Sequence, residues 1–158
     1  LAAVRGWARA DAFLPQTVVE EGRVGLLHVD GRFREALRPG AHAFWRAVGR
    51  VTVAMVDLRE QVVDITGQEI MTADKVTLRV NAVVTYRIVD PVRAAAEVED
   101  PGQALYRQAQ LALREVVGTR DLEVLLADRE GVAGQLVGIL RERVASLGVR
   151  VDALGIRG

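Results

Sequence analysis

The stretch that decides the fold is Val76-Thr-Leu-Arg-Val-Asn-Ala-Val-Val-Thr-Tyr-Arg-Ile88, near the middle of a chain of 158 residues. Apolar residues or tyrosine occupy every second position, and polar residues fill the gaps except at Val83. Because side chains along a strand point alternately to its two faces, this period predicts a long strand with one buried and one solvated face, as in an antiparallel sheet. Asp74-Lys75 predicts the turn that pairs it with a strand over residues 69–73.

Upstream of this stretch, turn signals alternate with short runs that favour strands. Glu21-Gly22 and Asp30-Gly31 are hairpin dipeptides, and Gly67-Gln68 predicts a break between two strands. The strands predicted in this half of the chain span residues 23–29, 32–37, 51–56 and 61–66.

Downstream, the apolar period changes from two to that of a helix. Asp90 and Asp100 each precede a proline, which is the pattern of an N-cap followed by Pro at the first helical position. They predict a helix over residues 92–98 and a second one that ends at Gly118. The second helix carries one apolar stripe, formed by Leu105, Ala109, Ala112, Leu113, Val116 and Val117.

The last third of the sequence predicts two more helical segments and a final strand. Asp121 is placed to cap one turn over residues 122–126, and Asp128 to open a longer helix that ends near Leu147. Residues 149–156 then return to strand character. Strands, then helices, then one strand predict an α+β fold, with a mostly antiparallel sheet of N-terminal strands and C-terminal helices packed on one side.

Composition excludes several classes of function. Lys plus Arg and Asp plus Glu both number 21, so the chain lacks the basic surplus that nucleic-acid binding needs. The absence of cysteine excludes disulfides and thiolate metal sites. No apolar run approaches the ~20 residues of a membrane-spanning helix. No known metal or phosphate motif occurs, so we predict no catalytic residue, no metal and no cofactor.

An enzyme remains the alternative if a hidden carboxylate pair exists. Asp57 and Asp64 lie in strand regions seven residues apart, and His28 is one of only two histidines. A cleft that gathers these three groups would revive general acid–base chemistry, whereas their separation would argue against it.

The first 17 residues are predicted to form a segment apart from a core domain over residues 18–158. An apolar stripe there either lies in a membrane interface or belongs to a linker that packs its tryptophan on the domain. The chain begins with leucine rather than methionine, so we expect a fragment of a longer protein. The stripe consists of Leu1, Val4, Trp7 and Leu14.

Four segments, in order and at matching spacing, resemble the stomatin/prohibitin family, also called SPFH or Band 7. The first, Thr72-Ala-Asp-Lys-Val-Thr-Leu-Arg-Val-Asn-Ala-Val-Val-Thr-Tyr-Arg-Ile-Val-Asp-Pro91, is similar to its turn, alternating strand and Asp-Pro. The others are Ala109-Gln-Leu-Ala-Leu-Arg-Glu-Val-Val-Gly118, Leu122-Glu-Val-Leu-Leu-Ala-Asp-Arg-Glu130 and Leu147-Gly-Val-Arg-Val151. Residues 67–75 make the bacterial slipin branch the closest fit. Two departures are Leu147, where many members have an aromatic residue, and Gly158, where many continue with aspartate.

The resemblance implies an SPFH core domain without catalytic residues, from a membrane-anchored bacterial protein. The membrane anchor and a C-terminal assembly region would lie outside the fragment. The implied function is a membrane-associated scaffold that forms homo-oligomers and organises membrane proteins. The alternative is a partner-recognition module for a membrane channel or protease, such as a system of an NfeD-type membrane protein and a serine protease.

Two places are candidates for the self-association surface. One is the strand around Val80, Ala82 and Val84, and the other is the helix marked by Gly134, Gly138 and Arg141. The alternative is ordinary intradomain packing, which we expect for most of these side chains; glycines within a helix indicate either a close neighbour or a tolerated loss of stability.

Overall fold

The computed structural model describes residues 16–44 and 49–157. The chain divides into two compact units, Leu1–Arg59 and Glu60–Gly158, which are described separately below. The apolar stripe predicted from Leu1 to Leu14 lies outside the described residues, so its role stays a prediction, as does the boundary at residue 17.

The N-terminal unit is built from antiparallel strands. Strand β2 lies between β3 and β5, and β1 pairs with β4. Asp30 and Gly31 both have positive φ values, 51° and 79°, as a tight hairpin turn between β2 and β3 requires. A small core forms beneath these strands from Val19, Leu27, Val29, Leu37 and Phe44. The strands are β1 Thr17–Val19, β2 Arg23–Val29, β3 Arg32–Leu37, β4 Gly40–His42 and β5 Val51–Asp57.

The C-terminal unit has a three-stranded antiparallel sheet with helices on one face. Strand β7 lies in the middle, between β6 and β8. The second helix packs against β6 and the fourth against β8. The elements are β6 Gln61–Met71, β7 Thr77–Ile88, α1 Pro91–Glu97, α2 Pro101–Gly118, α3 Leu122–Ala127, α4 Arg129–Val144, a 3-10 turn Ala145–Leu147 and β8 Val149–Arg157.

This arrangement confirms the predicted α+β fold. Alternate residues of β7 from Val80 to Ile88 are buried against the helices, whereas those between them are partly exposed. The predicted apolar stripe of α2 is buried in the same core at all six positions. Among the described residues, none of the helices combines the length and the apolar composition needed to cross a membrane.

The break predicted at Gly67-Gln68 is wrong: β6 continues through it as a bulge. The pairing of β6 with β7 shifts register between Ile65 and Gln68, and Gly67 has a φ of 66°. A bulge adds one residue to one strand, and a glycine accepts the left-handed conformation there at no steric cost. One long strand therefore forms where the sequence predicted two.

Three of the four predicted aspartate caps are confirmed. The side chains of Asp90, Asp100 and Asp128 each accept a hydrogen bond from a backbone N–H in the first turn of a helix. Asp121 precedes α3, but its side chain makes no cap bond. The N–H of Leu122 instead donates to Asp74 Oδ1 at 3.2 Å. A residue of the turn between β6 and β7 thus replaces the predicted local cap.

Candidate interaction surfaces

The predicted contact residues on β7 belong to the core of the C-terminal unit. Val80, Ala82 and Val84 are 7%, 1% and 0% exposed, and they pack with the apolar stripe of α2. Side chains buried in this way cannot touch a neighbouring molecule directly. These three residues therefore pack within the domain, which was the alternative interpretation. Self-association itself stays a prediction.

The predicted contact residues on α4 lie on the surface. Gly134 and Gly138 are exposed, and a Cβ atom added to either would meet nothing within 4 Å. Arg141 is also exposed, and its Nε donates to the carbonyl oxygen of Val151 at 2.9 Å. This bond ties α4 to β8, which is an edge strand of its sheet.

The turn between β6 and β7 links the sheet to the start of α3. Thr72 Oγ1 donates to Asp74 Oδ1 and accepts from the N–H of Val76. The N–H of Ala73 donates to the carbonyl oxygen of Arg120 at 2.9 Å, beside the Asp74 bond to Leu122. The hydrogen bond from Thr72, with a further one from the Leu122 backbone, holds the pKa of Asp74 below its ordinary value. These bonds hold the start of α3 against the turn between β6 and β7.

A small apolar cavity lies beside α3, with a volume of about 140 Å³. Leu126 lines it and is 58% exposed, and Val124 on the same helix is 53% exposed. The cavity thus reaches the surface where α3 presents apolar side chains to solvent. The other lining residues are Leu78, Arg79, Val80, Val117, Leu125, Arg129, Val132 and Ile156.

Sequence reasoning missed this surface, although one signal was present. Residues 122–127 read Leu-Glu-Val-Leu-Leu-Ala, which is more apolar than a short helix with a single buried face requires. In the structure only Leu125 of α3 is buried. The surplus apolar residues were the available indication of an exposed patch.

The residues proposed for an acid–base site do not form one within the N-terminal unit. His28 lies opposite Thr52 and Asp57 opposite Arg23, so they are five residues apart on the β2–β5 ladder, roughly 17 Å at ~3.3 Å per residue. Hydrogen bonds from the Arg59 side chain, then from its backbone N–H, lower the pKa of Asp57. Asp64 belongs to the other unit and is exposed on β6. Within the part of the chain that the structure describes, no three His, Cys, Asp or Glu residues are grouped to hold a metal ion.

Comparison with known proteins gives matches over most of the chain. The family model described as "SPFH domain / Band 7 family" matches residues 17–157. An uncharacterized protein of Archaeoglobus fulgidus is 36% identical over 140 residues, which cover 89% of this chain and 55% of the relative. A stomatin homologue of Pyrococcus horikoshii is 42% identical over 103 residues, covering 65% of this chain and 39% of the relative. Human stomatin-like protein 3 is 42% identical over 102 residues, covering 65% and 35%. The chain therefore spans about half the length of the first relative and less of the other two.

Proposed function

Because the chain belongs to the SPFH domain (Band 7) family, we propose that it is part of a non-enzymatic, membrane-associated scaffold that associates with copies of itself and organises membrane proteins. The observation that carries the proposal is the family match over residues 17–157, together with stomatin relatives more than 40% identical over about two thirds of the chain. The proposed bacterial, slipin-type origin rests on the motif at residues 67–75 alone.

The C-terminal unit has the surface properties that such a scaffold needs. Among the described residues its sheet ends in two edge strands, β6 and β8, and strands of this kind can pair with neighbouring chains. Several large apolar side chains are more than half exposed. A domain can use exposed apolar side chains for weak contacts that become strong when many copies assemble. These side chains are Val62, Met71, Val89, Leu111, Val124 and Leu126.

Two measurements test the proposal. In sedimentation equilibrium, the apparent mass of the chain should exceed that of a monomer and rise with concentration. In cells, the protein that contains this chain should fractionate with membranes and cross-link into multimers. A monomer at every concentration, with no multimer in the membrane fraction, would contradict the scaffold.

Family membership also suggests a finer role as a recognition module for a membrane channel or a protease, including an NfeD-type membrane protein with its serine protease. The two roles differ in what the assembly contains. A purified membrane assembly that holds a second protein in fixed ratio would favour the recognition module, whereas one that holds only copies of this chain would favour the pure scaffold.

A further inference from the structure

The cavity beside α3 has the right size for one apolar side chain. Its volume of about 140 Å³ is close to the roughly 150 Å³ that holds benzene in an enclosed apolar cavity, but this cavity opens to solvent and has Arg79 and Arg129 in its lining. Leu126 stands at its mouth and is 58% exposed. The same face of the protein therefore carries an apolar projection and a space that could receive one.

Charges of opposite sign flank Leu126 along the chain, one on α3 and the other at the first residue of α4. Glu123 lies three residues before Leu126 and Arg129 three residues after it, and both are exposed. Neither has an ion-pair partner among residues 16–44 and 49–157. A two-fold axis beside Leu126 would run two copies of this segment in opposite directions. Glu123 of one copy would then face Arg129 of the other, twice per pair.

We propose that α3 forms a two-fold contact between copies of this chain, in which Leu126 of each copy enters the cavity of the other. A two-fold interface requires a surface that is complementary to itself. The projection, the cavity and the opposite charges on either side meet that requirement on one face. The proposal deepens the scaffold function by naming a contact surface, and it rests on that function.

The size of the patch predicts a weak contact. A stable dimer buries about 800 Å² on each partner, whereas α3 has six residues and spans roughly 9 Å. Pairs should therefore form and separate readily in solution. In an array on a membrane, the same contact is strengthened by its repetition.

Cross-linking tests the geometry directly, because the chain has no cysteine of its own. Ala127→Cys places a single thiol at an exposed position next to Leu126 and keeps the leucine itself, so a short bis-maleimide should link two copies efficiently. The matched control is Leu111→Cys on α2, where the leucine is 55% exposed. The Ala127→Cys protein should give several-fold more linked dimer than the control, and equal yields would overturn the proposal.

Charge exchange tests the register. Glu123→Arg places like charges opposite each other twice and should weaken association about tenfold, which is ~1.4 kcal/mol shared by two exposed pairs. The double variant Glu123→Arg with Arg129→Glu should restore it. Glu97→Arg on α1 is exposed, lies outside both candidate surfaces, makes the same change of net charge and should have little effect.

The outcomes separate this inference from the scaffold function on which it rests. Association of the unchanged chain that neither Glu123→Arg nor Leu126→Glu weakens would overturn the α3 contact and leave the scaffold intact. A chain that stays monomeric at every concentration, and does not cross-link in membranes, would overturn both. Weakening by Glu123→Arg without recovery in the double variant would overturn the two-fold register.

Discussion

Asp74 accepts hydrogen bonds from two parts of the C-terminal unit. Its carboxylate bonds to Thr72 in its own turn and to the N–H of Leu122, 48 residues further along the chain. The charged form makes these bonds best, which is why the pKa of Asp74 lies below the usual 3.8. The stability that it contributes is therefore present above pH 3.8 and is lost as the pH falls through the lower, folded-state pKa.

Asp74→Asn should lower the midpoint of urea unfolding at about pH 6, and the difference from the unchanged protein should close as the pH falls below 3.8. The reason is that asparagine keeps an acceptor oxygen but not the charge. Asp121→Asn is the matched control, because the side chain of Asp121 makes no cap bond to α3. A difference that persists unchanged in strong acid would show that the charge of Asp74 is not the cause.

The role of Asp74 shows what residue spacing can and cannot predict. The sequence correctly placed Asp74 in a turn, and it identified Asp90, Asp100 and Asp128 as caps, because those signals act within four residues. A bond across 48 residues leaves no periodic trace in one sequence. The bond that replaces the cap of Asp121 depends on the turn between β6 and β7 lying against α3, which no local sequence pattern encodes.

At the scale of elements, α4 contains two glycines that no contact with residues 16–44 or 49–157 explains. A Cβ atom at Gly134 or Gly138 would meet nothing within 4 Å, and both residues lie within the helix. Alanine loses less backbone entropy than glycine in a helix. Gly134→Ala and Gly138→Ala should each raise the free energy of unfolding by about 0.5–1 kcal/mol, measured by urea denaturation.

Gly148→Ala is the contrasting control. Gly148 ends the 3-10 turn with a φ of 71°, and an added Cβ would collide with the backbone of Asp90. This variant should be destabilised, although the substitution is the same. If alanine at 134 or 138 instead lowers the free energy of unfolding, the α4 surface contacts a neighbour outside the described residues. If it raises stability but weakens association, the predicted contact at this helix gains support.

Elements were predicted well wherever one face is buried. The alternation from Val76 to Ile88 and the stripe of α2 predicted both elements, because burial on one side imposes a period on the sequence. Gly67 was misread, because glycine favours both a break and a bulge, and only the partner strand distinguishes them. The same alternation also explains why Val80, Ala82 and Val84 are not at the surface: the residues that reveal the strand are those it buries.

At the scale of the whole molecule, the order of the elements predicted the fold, and four motifs predicted the family. The cavity beside α3 was beyond reach, since a void depends on how β7, α3 and α4 meet in space. Each unit also has a hydrophobic cluster of its own, and the two clusters share no residue. The cluster of the C-terminal unit contains many more buried residues than that of the N-terminal unit.

A protein consisting of residues 60–158 should fold by itself, because all the residues of its core are internal to it. We expect a cooperative thermal transition by circular dichroism and a dispersed amide spectrum by NMR. Leu136→Ala, at a fully buried position, should cost about 2–5 kcal/mol in this fragment and the same amount in the complete chain. A fragment with helix signal but no cooperative transition, or one indifferent to Leu136→Ala, would mean that its core forms only with the help of the preceding residues.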